Sequence, residues 1–211
     1  VGTSIGLAIG GMKPVAEIQF DGFTPPVLDQ VINHLGRIRW RSRGRFSAQV
    51  VLRFPYGAGI RALEHHSESP ETYFVHTPGL KVVVPSNPYD AKGLLISAIR
   101  DSDPVVFMEP KKIYRAIKED VPEEEYAVPL SKANVVREGS DVTVICWGAM
   151  VRYCIEAAEK ANASVEVIDL RTLDPMDEET IVKSVEKTGR TVVVHEAPRT
   201  CGLGAEIATL I

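Results

Sequence analysis

His66 ends a glycine-interrupted loop, Phe54-Pro55-Tyr56-Gly57-Ala58-Gly59-Ile60-Arg61-Ala62-Leu63-Glu64-His65-His66-Ser67, which leaves the apolar run Ala48-Gln49-Val50-Val51-Leu52-Arg53. An imidazole donates and accepts protons near neutral pH. Loops that leave buried strands are where α/β proteins place ligand chemistry, because the rigid strand aims the loop at solvent. The same spacing also suits a loop histidine bonded to a nearby carbonyl. A second constellation lies in Pro14-Val15-Ala16-Glu17-Ile18-Gln19-Phe20-Asp21-Gly22-Phe23. At its carboxyl end Gln19 could hydrogen-bond a flat ligand and Phe23 could stack on it. Ordinary packing is the competing reading there.

His195 is a rival to His66, with Glu196 and Arg199 nearby, but it lacks a glycine loop. His34 and His76 fall in helical contexts and read as structural. Arg37-Ile38-Arg39-Trp40-Arg41-Ser42-Arg43-Gly44-Arg45 alternates basic residues around one aromatic. Such a run serves as a phosphate stripe or as a solvated or subunit-facing surface; the acidic chain favours the surface. Gly202-Leu203-Gly204 could cradle an anion at a helix start. The dinucleotide fingerprint needs a third glycine where Ile207 stands, so close helix–strand packing is the better reading.

The elements that would carry these residues alternate along the chain. The expected strands are Pro14–Phe20, Ala48–Arg53, Leu80–Val84, Val105–Met108, Val142–Cys146, Val165–Ile168 and Thr191–Val194. The expected helices are Thr24–Arg39, Pro88–Arg100, Ala149–Ala161, Glu178–Lys187 and Gly204–Ile211, with a small-residue helix over Gly2–Gly11. β-Branched runs separated by helices predict parallel sheets covered on both faces. Asn87 before Pro88, and Asp177 with Gly189 beyond Lys187, are helix start and stop signals. The alternation breaks in a polar, proline-bearing stretch, which predicts one α/β unit over 1–115, a crossover over 116–138 and the start of a second unit over 139–211.

Composition fits a globular chain of 211 residues, 45% hydrophobic and 25% charged. A net charge of -4 argues against nucleic-acid binding, and no apolar run reaches transmembrane length. Val1-Gly2-Thr3-Ser4-Ile5 has no basic leader region. Cys146, Cys154 and Cys201 lack metal-ligand spacing and read as thiols of a reducing compartment, cytoplasm or mitochondrial matrix. Both ends read as helices cut into, which predicts an internal portion of a longer protein.

Four stretches in order carry a family resemblance. They are Pro14–Phe23, the loop ending His66-Ser67, Thr77-Pro78-Gly79-Leu80-Lys81-Val82-Val83-Val84-Pro85 with Pro88–Leu94, and Val167-Ile168-Asp169-Leu170-Arg171-Thr172-Leu173-Asp174-Pro175-Met176-Asp177. Together they resemble the beta subunit of the thiamine-diphosphate-dependent component of 2-oxo acid dehydrogenase complexes, across essentially the whole chain. Ser69-Pro70-Glu71 and His195-Glu196-Ala197-Pro198 lean toward the branched-chain or broad acyl type rather than a narrow pyruvate enzyme.

The resemblance implies a pyrimidine-binding α/β domain with a parallel sheet, followed by part of a transketolase C-terminal-like domain. It implies an α2β2 assembly with thiamine diphosphate between subunits, and its diphosphate and magnesium on the alpha subunit. The reaction would be decarboxylation of a 2-oxo acid and acyl transfer to the lipoyl group of an acyltransferase. Phe23 matches the ring-stacking position, Gln19 a residue close to it, and His66 the active-site histidine. Ala98, Asp101 and Asp103 match a potassium site found in some relatives, although a solvated acidic turn reads equally well. The family's pyrimidine-bonding glutamate is expected upstream of Val1, and the rest of the C-terminal domain beyond Ile211. His65 departs from the family pattern and sets two imidazoles side by side. A transketolase-like carboligase acting on a sugar phosphate, and a non-catalytic assembly subunit, are the alternative functions.

Overall fold

Apolar residues on both faces of a strand require cover on both faces, and two runs here meet that condition. The computed structural model describes Val1–Ile211 and contains two sheets. Helix α1 (Gly2–Ile9) leads into β1 (Val15–Glu17). A helical ribbon ending in α2 (Ile38–Arg41) precedes β2 (Val51–Tyr56). Then come α3 (Glu71–Val75), β3 (Lys81–Val83), α4 (Pro88–Arg100) and β4 (Val105–Pro110). β1, β2, β4 and β3 pair in that spatial order, all parallel. Leu52, Phe54, Val106 and Met108, in the central β2 and β4, are fully buried.

The second sheet is built from β5 (Asn134–Arg137), β6 (Val142–Cys146), β7 (Val165–Asp169) and β9 (Thr191–Val194). Its order is β5-β7-β6-β9, with β5 antiparallel and the others parallel. Helices α5 (Met150–Lys160), α6 (Glu178–Thr188) and α7 (Leu203–Leu210) complete this unit. A short strand, β8 (Thr172–Asp174), leaves it and pairs antiparallel with β3 of the first sheet. The two units therefore share one apolar core, in which Ile145, Trp147, Leu170 and Leu173 join Leu52, Phe54 and Tyr56. The Arg171 guanidinium adds a buried ion pair to Asp90 of α4 at 2.9 Å.

The end signals act as the sequence predicts. The Asn87 side chain accepts from the Asp90 N–H at 2.8 Å, with Pro88 at the first helical position. Asp177 caps α6, which stops at Gly189 in the left-handed region (φ 67°).

Three expectations change. The helix expected over Thr24–Arg39 is broken into a 3₁₀ turn at Pro25–Val27, a π-helix at Asp29–Leu35, and α2, and a further 3₁₀ turn at Asp21–Phe23 precedes it. Pro25 and Pro26 sit in the first turn after Thr24, where a missing N–H costs no helical bond, so they do not account for the break. The guanidiniums of Arg37 and Arg41 then take up the carbonyls of Ile32 and Asn33. The strand expected over Pro14–Phe20 shortens to β1; Ile18 N–H still bonds Arg53, and the chain turns outward at Gln19. The stretch 116–138 read as a crossover contains β5, because the Ala133 N–H is fixed by Asp177 and β5 adds to the edge of β7.

Candidate active site

Because β1, β2 and β4 are adjacent and parallel, the segments that follow them emerge side by side. In open α/β sheets that carboxyl edge is where ligands bind. Phe23 follows β1, His66 follows β2 and Lys111 follows β4.

Gly57 turns the chain out of β2 at φ 87°, and a Cβ there would lie 3.0 Å from Glu196 Oε2. Its N–H donates to the Glu68 carbonyl at 2.9 Å, which closes the loop at its neck. Gly22 lets the 3₁₀ turn pass beneath the returning loop, for a Cβ there would sit 3.0 Å from the Cα and carbonyl oxygen of His65. Two segments 43 positions apart thus meet backbone to backbone.

The meeting forms a pocket of about 390 Å³ lined by Phe20, Gly22, Phe23, Ala62, His65 and His66. The Phe23 ring is 50% exposed at its lip. The His66 ring is half-buried and packs edge-on to Phe20, with centroids 3.9 Å apart. Its Nδ1 is buried without a hydrogen-bond partner. The carbonyl partner that a purely structural loop histidine would have is therefore missing at that nitrogen. His65 is exposed and lies 3.7 Å from Glu64, its neighbour. Gln19 is exposed on the turn after β1 and does not line the pocket.

One residue of this site carries no motif. Asp21, 2% exposed, has one carboxylate oxygen 3.0 Å from Lys111 Nζ, while the other accepts from the Glu68 N–H at 3.0 Å. Its place in Phe20-Asp21-Gly22-Phe23 is a turn signal, which hides the role.

A second polar cluster lies where the two units join. Glu71 is 1% exposed, and neither carboxylate oxygen has a hydrogen-bond partner. Burial pushes its pKa up to about 7, reinforced by the negative charge of Glu196. Burial likewise raises Glu196 and Tyr56. His195, the rival histidine, stacks on Trp147 at 5.2 Å and is lowered by burial. It packs against Gly204, where a Cβ would sit 2.6 Å from its Nε2. Gly202-Leu203-Gly204 is thus helix–strand packing, and His195 belongs to the junction rather than to the pocket.

The remaining candidates lie at the opposite edge of the first sheet. The basic run borders a groove of about 970 Å³ that also meets Ala48, Gly79 and Pro104, which precede β2, β3 and β4. Trp40 is 88% exposed there. Arg39 bonds the Ser102 carbonyl and pairs with Asp103 at 2.6 Å. Asp101 pairs with Lys81 at 2.6 Å and accepts from the Asp103 N–H. Both carboxylates of the Ala98–Asp103 turn are thus paired with protein cations. No group of three or more His, Cys, Asp or Glu side chains is placed to share a metal.

Residues 1–117 match the family described as transketolase, pyrimidine binding domain, and residues 131–211 match transketolase, C-terminal domain. The chain is 56% identical over its whole length to the pyruvate dehydrogenase E1 component subunit beta of Acholeplasma laidlawii, covering 65% of that protein. It is 51% identical to the mitochondrial 2-oxoisovalerate dehydrogenase subunit beta of Dictyostelium discoideum, covering 58% of it. It is also 51% identical to the pyruvate dehydrogenase E1 subunit beta of Bacillus subtilis, covering 66%. It spans just under two thirds of these relatives' lengths. A solved split gene transketolase, described as an inactive beta4 tetramer, shares the fold at a TM-score of 0.82 and 22% identity over 99% of this chain. The parallel sheet that sets Phe23 beside His66 thus has its counterpart in known proteins, and the chain belongs to the transketolase pyrimidine-binding domain family, with a transketolase C-terminal domain following.

Proposed function

We propose that the chain is part of the beta subunit of a thiamine-diphosphate-dependent 2-oxo acid dehydrogenase component, working with an alpha subunit in an α2β2 assembly. The observation that carries this reading is the shared pocket of Phe23 and His66 at the carboxyl edge of three parallel strands. The names of the similar proteins support the same reaction class.

The pocket suits the aminopyrimidine end of the cofactor. An exposed aromatic face at its lip offers stacking, and the imidazole beside it is left for proton transfer rather than for holding the ring. Bound thiamine diphosphate would supply the nucleophilic carbon and the electron sink that let carbon dioxide leave a 2-oxo acid. His66 would hold or deliver a proton during acyl transfer to a lipoyl group, where the dithiolane S–S bond breaks and one sulfur takes the acyl group. Phe23 would orient the pyrimidine. Gln19, on the turn before Phe23, would reach the cofactor only from the pocket's outer side. Magnesium and the diphosphate would be held by the alpha subunit. The acyl group would pass to the lipoyl-acyltransferase of the complex. Potassium at Ala98, Asp101 and Asp103 would share the carboxylates with Lys81 and Arg39, which pair with them here. Three cysteines outside any disulfide suit a reducing compartment, cytoplasm or mitochondrial matrix. No helix is long and apolar enough to cross a membrane.

The sugar-phosphate carboligase reading would need the basic run as its phosphate site. That run faces the amino edge of the sheet, away from the pocket, and three of its guanidiniums bond main-chain carbonyls. The test is reconstitution of the full-length subunit with its alpha subunit. Thiamine-diphosphate-dependent release of carbon dioxide from pyruvate or a branched-chain 2-oxo acid, with acylation of a lipoyl acceptor, is the expected result. Activity only with sugar phosphates would favour the carboligase. No activity with either, but stable assembly, would favour a non-catalytic subunit.

A further inference from the structure

We propose that Asp21 is the positioning residue of this site, a buried carboxylate that pins the neck of the His66 loop to the turn bearing Phe23. The inference rests on the functional reading above for its catalytic consequence, but not for its structural one.

The geometry is that of a clamp across three segments. Asp21 opens the 3₁₀ turn that ends at Phe23. One of its oxygens takes the Glu68 N–H, and the Glu68 carbonyl takes the Gly57 N–H. Both peptide groups of one residue thereby close the 57–68 loop and anchor it. The other oxygen meets Lys111, directly after β4, in an ion pair whose side chains are 0% and 10% exposed. A pair so shielded from water is little weakened by salt, and removing one member leaves the other charge buried and unpaired. The rest of the loop has few fixed points: residues 60–65 are mostly exposed, and both Arg61 and Leu63 are in the left-handed region. The neck therefore determines where His66 stands relative to Phe23. The bond to Asp21 is charge-assisted and the stronger of the two at that neck.

The experiment uses the reconstituted complex with the full-length beta subunit and three variants: Asp21→Ala, Lys111→Met, and Asp21→Asn with Lys111→Met. Hydrogen exchange over residues 57–68 reports the clamp without reference to activity. Asp21→Ala is expected to speed exchange at the loop neck about 10-fold or more, the scale of one charge-assisted hydrogen bond. Peptides from β2 and β4 should keep their protection. Transfer to a lipoyl acceptor should fall in kcat by a similar factor, with KM for the 2-oxo acid little changed. Lys111→Met should loosen the same segment. The double variant restores a neutral acceptor for the Glu68 N–H, strands no charge, and should recover most of both losses; it also serves if Asp21→Ala does not fold. Unchanged exchange over 57–68 in Asp21→Ala, or a double variant no better than the single ones, overturns the clamp. A wild-type complex that decarboxylates no 2-oxo acid, while Asp21→Ala still loosens the loop, leaves the clamp standing and refutes the functional reading.

Discussion

Replacing Glu71 by Gln should stabilise the protein, and only above acidic pH. The carboxyl is 1% exposed, with no hydrogen-bond partner at either oxygen. Burial, with the nearby Glu196 charge, pushes it up to about 7 from an ordinary 4.5. An acid raised on folding binds its proton more tightly in the native than in the unfolded chain. Its contribution to stability is full below pH 4.5, fades as pH climbs to 7, and is lost above that. Ionising it in place costs about 3 kcal/mol, from about 1.4 kcal/mol per pH unit. Glutamine mimics the neutral form and carries no such cost. Glu71→Gln should match the wild type near pH 4.5 and exceed it by as much as about 3 kcal/mol at pH 8. For a chain of this size that is up to about 10 °C in Tm. Asp169, also raised to about 7 by burial, is present in both proteins and cancels in the difference. Thermal and urea unfolding at pH 5 and pH 8 read the effect. A variant less stable than the wild type at pH 8, or a difference independent of pH, would show that Glu71 is ionised and partnered, and the reasoning would fail.

Phe23→Ala should weaken thiamine diphosphate binding to the αβ assembly about fivefold or more, the scale of one aromatic stacking contact, measured by titration calorimetry; an unchanged Kd removes Phe23 from the cofactor. Gly22→Ala should push the loop away from the turn, because its Cβ would sit 3.0 Å from the His65 backbone, and should lower acyl transfer more than it lowers Tm. Exchanging potassium for sodium should leave Tm within about 1 °C, since Lys81 and Arg39 already neutralise Asp101 and Asp103; a larger drop would restore Ala98, Asp101 and Asp103 as a potassium site.

The central strands were legible because their residues leave little choice. Val142–Cys146 and Thr191–Val194 are β-branched runs that form strands at those bounds. β5 and β8 were missed because they are short edge strands. β8 exists only by pairing with Val82 and Val83, some ninety positions earlier, which no local pattern encodes. Apolar periodicity over Thr24–Arg39 could not distinguish an α-helix from 3₁₀ and π turns. At the site, Phe23 and His66 were legible because their strands are parallel neighbours, so both segments leave by the same edge. Gln19 was placed by alternation along a strand that in fact ends at Glu17. Asp21 went unread since its partners lie 47 and 90 positions away.

The most direct test of the account compares His66→Ala with His65→Ala in the reconstituted complex, following acyl transfer to a lipoyl acceptor. His66 lies half-buried against Phe20 with a free Nδ1, whereas His65 is exposed beside Glu64. A positioned proton-transfer imidazole contributes about 100-fold or more. The account predicts a loss of that order for His66→Ala with cofactor affinity nearly intact, and a change under about threefold for His65→Ala. A severe His65→Ala variant, or two mild ones, would contradict it.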